Sequence, residues 1–163
     1  MARLSKTASA QLPPADLYER DYYAWILRQV SALRDRRIED IDWGNVAEEI
    51  EDLGKSEKRA VKGQLARLFE HLLKLAHAPA RTRHKDGRGW EITVRSARRE
   101  IAELLDESPS LRGKIREIFD SAYQSGRDAA LAATKLPDSA VPETPPWTLE
   151  QVLDDSFSPK AQD

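Results

Sequence analysis

A chain of 163 residues can close one hydrophobic core, and 40% hydrophobic against 33% charged residues places it with globular rather than disordered proteins. Its formal charge of −2, from 26 basic and 28 acidic residues, excludes a uniformly basic nucleic-acid binder. The absence of cysteine excludes disulfides, thiolate zinc sites, iron–sulfur clusters and cysteine nucleophiles, and fits a cytoplasmic location.

No stretch approaches the ~20 apolar residues of a membrane helix, so no membrane partner is expected. Met1 to Ala10 lacks the apolar centre of a secretory signal, and residues 1–15 read as a flexible tail. Apolar residues then recur with helical spacing. Tyr18, Tyr22, Trp25, Ile26, Gln29, Val30 and Leu33 mark one face of a first helix, with Asp16 as N-cap and Glu19 completing a capping-box-like pair. A second helix starts near Trp43, capped by Asp42 or Asn45. It carries Val46, Ile50 and Leu53, then Val61, Leu65, Leu68, Phe69, Leu72 and Leu73. Gly54 weakens it by roughly 1 kcal/mol relative to alanine, yet no proline intervenes before Pro79, which favours one helix over 44–77.

Ala80 to Gly89, rich in Arg, Lys and Gly, reads as an exposed loop. A third helix runs from Trp90 through Val94, Ala97, Ile101 and Leu105. Ser108 and Pro109 then read as N-cap and first position of a fourth helix, which carries Ile115, Ile118, Phe119, Ala122, Gly126 and Ala130. The small residues near its end allow a neighbouring helix to approach closely. Pro137, Pro142, Pro145 and Pro146 make an extended strap over 137–158, anchored by Trp147 and ending in a short helix capped by Thr148. Residues 159–163 read as a disordered tail. The sum is an all-α antiparallel bundle of about four principal helices over 16–136, with the proline-rich strap and short final helix packed on it.

Leu17-Tyr18-Glu19-Arg20-Asp21-Tyr22-Tyr23-Ala24-Trp25, the run Glu48 to Arg59, His71-Leu72-Leu73-Lys74, Trp90 with Arg98 and Arg99, Ser108 to Leu111 and the proline strap ending in Leu149-Glu150-Gln151 follow one another in a specific order. Over residues 16 to 159 the chain resembles the bacterial family called domain of unknown function 29. That resemblance implies a small, mostly α-helical protein and brings no catalytic residues with it. The chain departs from the family pattern at Lys85 to Gly89, which are richer in glycine.

The charges are segmented. Residues 39–57 hold eight acids and one base, and residues 58–99 hold twelve bases and three acids. Glu48 and Asp52 are i,i+4 neighbours, so with His71 they form a weak candidate set for a divalent metal and for a metal-dependent enzyme. The bland alternative is a solvated acidic face. No Glu-x-x-His precedes His71, and His77 lies six residues on, so neither common helical metal motif is present. Arg81, Arg83, Lys85, Arg88, Arg95, Arg98 and Arg99 could follow a phosphate backbone or meet an acidic partner. Ser56 and Ser108 lack the context of a hydrolase triad. Trp25, Trp43, Trp90 and Trp147 read as packing anchors.

Three functional classes follow. The favoured one is a non-enzymatic protein-binding or regulatory module, self-associating, without cofactor. The second is nucleic-acid binding through residues 81–99, in a toxin–antitoxin-like setting. The third is the metal-dependent enzyme.

Overall fold

The computed structural model describes residues 14–161. Six α-helices and three short 3-10 turns account for its regular structure, and no strand occurs among the described residues. The helices are α1 (Pro14–Arg20), α2 (Tyr22–Arg34), α3 (Trp43–His77), α4 (Ala80–Glu107), α5 (Ile115–Thr134) and α6 (Leu149–Leu153). The all-α class therefore holds, with α2 to α5 as the principal helices. The chain divides into two compact units, Met1–Gly54 and Lys55–Asp163.

In the first unit the segment read as one helix is two. Asp21 leaves the helical region at φ −151°, and its carboxylate accepts from the Ala24 backbone N–H at 3.0 Å. Asp21 thereby caps α2. The chain is already helical from Pro14, so Asp16 lies within α1 and not at the boundary position expected of it. The tail expected over 1–15 otherwise lies outside the described residues. Asp42, not Asn45, caps α3: its carboxylate accepts from the Asn45 N–H at 3.4 Å, and its carbonyl accepts from the Val46 N–H.

Helix α3 is a single helix from Trp43 to His77, continuous through Gly54. Its portion in the second unit packs with α4 and α5 around Leu65, Leu68, Phe69, Leu72, Val94, Ile101, Ile118 and Tyr123. Phe69 meets Phe119 and Tyr123 edge-on at 5.1 and 5.2 Å between centroids. Gly126 explains how closely α5 lies on α3, because a Cβ there would fall 2.5 Å from the Ala66 carbonyl oxygen. The small-residue expectation for this helix end thus has a definite cause.

Two further local expectations fail. Residues 80–89 are not a loop: α4 begins at Ala80. Pro79 fixes the turn, and its carbonyl accepts the N–H groups of Thr82 and Arg83 at 2.8 and 3.0 Å. Gly87, Val94, Ala97 and Ile101 then form one buried stripe, whose packing offsets the roughly 1 kcal/mol that each glycine costs a helix. Ser108 makes no side-chain cap, and Pro109 opens a 3-10 turn (Pro109–Gly113) before α5 starts at Ile115.

Two buried arginines fasten the C-terminal segment to the bundle. Arg127 donates through Nε to the Pro142 carbonyl at 2.9 Å and through a terminal nitrogen to the Asp138 carbonyl at 2.7 Å. Arg98 donates to the carbonyls of Val152 and Phe157, both at 2.9 Å. Trp147 packs on the core and on Phe157, and Thr148 with Gln151 closes a reciprocal capping box at α6. Of the expected C-terminal tail, residues 159–161 have no regular structure and residues 162–163 lie outside the described residues.

Candidate functional site: an apolar groove on the first unit

Helices α2 and α3 leave an open groove of about 300 Å³ in the first unit. Its walls are Tyr22, Ile26, Val30 and Leu33 on α2, and Val46, Ile50 and Leu53 on α3. These positions recur at three- and four-residue steps, so each helix turns one apolar row toward the opening. Ile50 is 63% exposed and Leu53 69%. Tyr23, Leu27 and Trp43 of the same unit are exposed as well, so Trp43 does not serve as the packing anchor expected of it. Contiguous apolar surface of this kind marks interaction sites in folded proteins.

A polar knot ties the two walls of the groove together. The Glu49 carboxylate accepts from the Tyr18 and Tyr22 hydroxyls, each at 2.6 Å. These bonds hold the Glu49 carboxyl below its ordinary range and push the Tyr18 phenol up to about 12; the Tyr22 phenol is raised for the same reason. Tyr18 lies edge-on to Trp25 at 4.9 Å, and Tyr22 stacks on Trp25 at 5.8 Å. The indole N–H of Trp25 donates to Asp42 at 3.3 Å.

Gln29 lies at the groove's base and is only 3% exposed. Its amide oxygen accepts the Asp42 backbone N–H at 2.8 Å, which fixes the orientation of the amide. The Nε2 donor is then buried without a partner. An unmade buried hydrogen bond costs about 1–3 kcal/mol, so this side of the groove is held at some cost.

The sequence-derived candidates lie elsewhere. Glu48 and Asp52 are exposed on α3 in the first unit. His71, in the second unit, is half-buried and bonds through Nδ1 to the Arg67 carbonyl of its own helix at 2.9 Å. Burial lowers the His71 pKa from its ordinary value. Among the described residues no group of three or more His, Asp or Glu side chains is placed to hold a metal ion.

The basic set is divided by its surroundings. Arg98 is buried on backbone carbonyls and leaves the exposed set, and Arg83, half-buried, donates to the Ala78 carbonyl. Arg81, Lys85, Arg88, Arg95 and Arg99 are exposed. Because 80–89 is helical, their steps of four, three, seven and four residues set all five along one face of α4. Arg99 also pairs with Glu103 at 3.7 Å.

Sequence reasoning missed the Tyr18–Tyr22–Glu49 knot and Arg127, and it set Gln29 on the face of the first helix without giving it a role. The tyrosine spacing was visible, but its acceptor lies 27 and 31 residues away. No helix among the described residues is long and apolar enough to cross a membrane. No curated protein and no solved structure matches the chain. The model of one family, described as domain of unknown function DUF29, matches residues 17–158, and the chain belongs to that family.

Proposed function

We propose that the protein is a non-enzymatic docking module whose first unit receives an amphipathic helix in the α2–α3 groove. The supporting observation is the opening itself: seven apolar or aromatic side chains in two helical rows, with Ile50 and Leu53 more than half exposed. An amphipathic helix offers the matching surface, apolar residues at three- and four-residue steps. A photo-crosslinking amino acid at Leu53 of the full chain tests this in the cells that make it. Mass spectrometry of the adducts should place the crosslinked residue on the apolar face of a helix. No adduct, or adducts scattered as they are from exposed Arg112, overturns the reading.

A second reading has its own observation, the five exposed bases along one face of α4. They support contact with a nucleic-acid backbone, whose affinity falls steeply with salt. Labelled DNA and RNA titrated at low and moderate salt test it. Binding that is lost with Arg81→Glu, Lys85→Glu and Arg88→Glu together supports it; binding that is absent, or indifferent to these changes, removes it.

A further inference from the structure

We infer that a cleft in the second unit, between α4 and the C-terminal segment, binds a small organic phosphate. The inference stands apart from the groove of the first unit. The cleft has a volume of about 530 Å³ and is lined by Arg95, Arg98, Arg99 and Ala102 of α4 and by Leu153 and Asp155 of the C-terminal segment. Three guanidiniums thus share it with one carboxylate.

The first support is the state of Arg98. It is only 5% exposed, yet its hydrogen bonds run to neutral groups, the carbonyls of Val152, Asp155 and Phe157. A guanidinium has five N–H donors, so two remain beyond these bonds. Buried charges are ordinarily paired with opposite ones. Burial lowers the Arg98 pKa, and the nearby Asp155 and Asp154 offset only part of that. Asp154 is itself engaged, since the Ser156 N–H and hydroxyl both donate to its carboxylate, at 2.8 and 2.7 Å. Arg95 and Arg99 flank Arg98, one helical turn apart and both exposed. Each keeps most of its donors. Arg95 makes one long bond, from Nε to the Glu91 carbonyl at 3.4 Å, and Arg99 makes a loose surface pair with Glu103 at 3.7 Å.

The second support is the match of charge and size. Three arginines against Asp155 leave the cleft at +2. A phosphate monoester carries about −1.5 to −2 at neutral pH, and its oxygens suit the paired donors of guanidinium forks. The volume falls within the range of small-molecule sites, about 300–1,000 Å³, and Ala102 and Leu153 give the organic part an apolar wall.

Calorimetry on the full chain at low salt tests this with phenyl phosphate, inorganic phosphate and a DNA strand lacking terminal phosphates. One phenyl phosphate should bind per chain with a Kd below about 1 mM, more tightly than inorganic phosphate. Arg95→Gln together with Arg99→Gln should weaken it about tenfold, with the helical circular dichroism unchanged because both side chains are exposed. Asp155→Asn removes the carboxylate that opposes the anion and should tighten binding about threefold. Hydrogen exchange over 153–158 should slow on binding, because that segment supplies one wall. No binding up to about 10 mM phenyl phosphate overturns the inference. So does binding that is indifferent to Arg95→Gln and Arg99→Gln, weakened by Asp155→Asn, or without effect on exchange over 153–158. Inorganic phosphate binding as tightly as phenyl phosphate overturns the organic ligand. A DNA strand that displaces phenyl phosphate assigns these arginines to the backbone contact of the second reading, and overturns the small ligand as well.

Discussion

The two units use the same apolar spacing and reach opposite outcomes. In the second, Leu65, Leu68, Phe69, Leu72 and Leu73 of α3 are fully buried, because α4 and α5 lie on that stripe. In the first, Ile50 and Leu53 of the same helix are mostly exposed. The difference is the number of elements available to cover each row. A small helical pair has too little chain to enclose all of its apolar surface. The comparison teaches that an amphipathic stripe specifies a demand for a partner and leaves open whether the same chain meets it.

The strongest way to break this comparison is to delete equivalent groups from the two sides. Leu72→Ala, in the closed core, should cost about 2–5 kcal/mol in thermal or denaturant unfolding. A value near zero would mean that the second unit is not the close-packed one. Arg127→Met comes next. It strips the donors from the carbonyls of Asp138, Val141 and Pro142, and should cost about 2–3 kcal/mol. Limited proteolysis should then cut within 137–147, and an uncut strap would show that Arg127 does not fasten it. Gly126→Ala should cost about 1–3 kcal/mol by forcing α5 off α3, since the new methyl meets backbone at Ala66 and Phe69 Cβ at 2.7 Å.

A smaller effect sharpens the first unit. Glu49 has a lowered pKa in the fold, so its contribution is present above the ordinary 4.5 and is lost as pH falls through the lowered value. Tyr18 is raised, so its contribution is present below 10.0 and disappears as pH rises through about 12. Phenolate absorbance should show late-titrating tyrosines, and Glu49→Gln should return them toward 10. Unchanged titration in that variant would separate the knot from the tyrosine shifts.

How much of this was legible follows the range of the interactions. Helix α6 was readable because Thr148 and Gln151 are three residues apart and satisfy each other locally. Helix α3 was readable through Gly54 because one glycine is outweighed by the helix formers around it. Residues 80–89 were not readable, since Gly87 and Gly89 signal a turn until the burial of Gly87 beside Leu75 is known. The metal set was proposed from residue type and from the i,i+4 step of Glu48 and Asp52, with His71 several helical turns further along the chain, and those features do not determine convergence. Glu49 looked like one more acid in a charged run, because its tyrosine donors come from the preceding helices.

The groove was hidden for a related reason. Val46, Ile50 and Leu53 carry the same signature as Val61, Leu65 and Leu68, and periodicity does not distinguish a covered row from an open one. The smallest predicted change exposes that distinction best. Leu53→Ala removes the same atoms as Leu72→Ala, yet at 69% exposure it takes little from a buried environment. Its cost to the isolated chain should stay within about 0.5 kcal/mol. Unfolding at low protein concentration measures that cost. A loss comparable to Leu72→Ala would mean that Leu53 is already covered, and the open groove would be gone. A near-zero loss assigns Leu53 to surface that folding leaves uncovered, the surface on which the proposed docking rests.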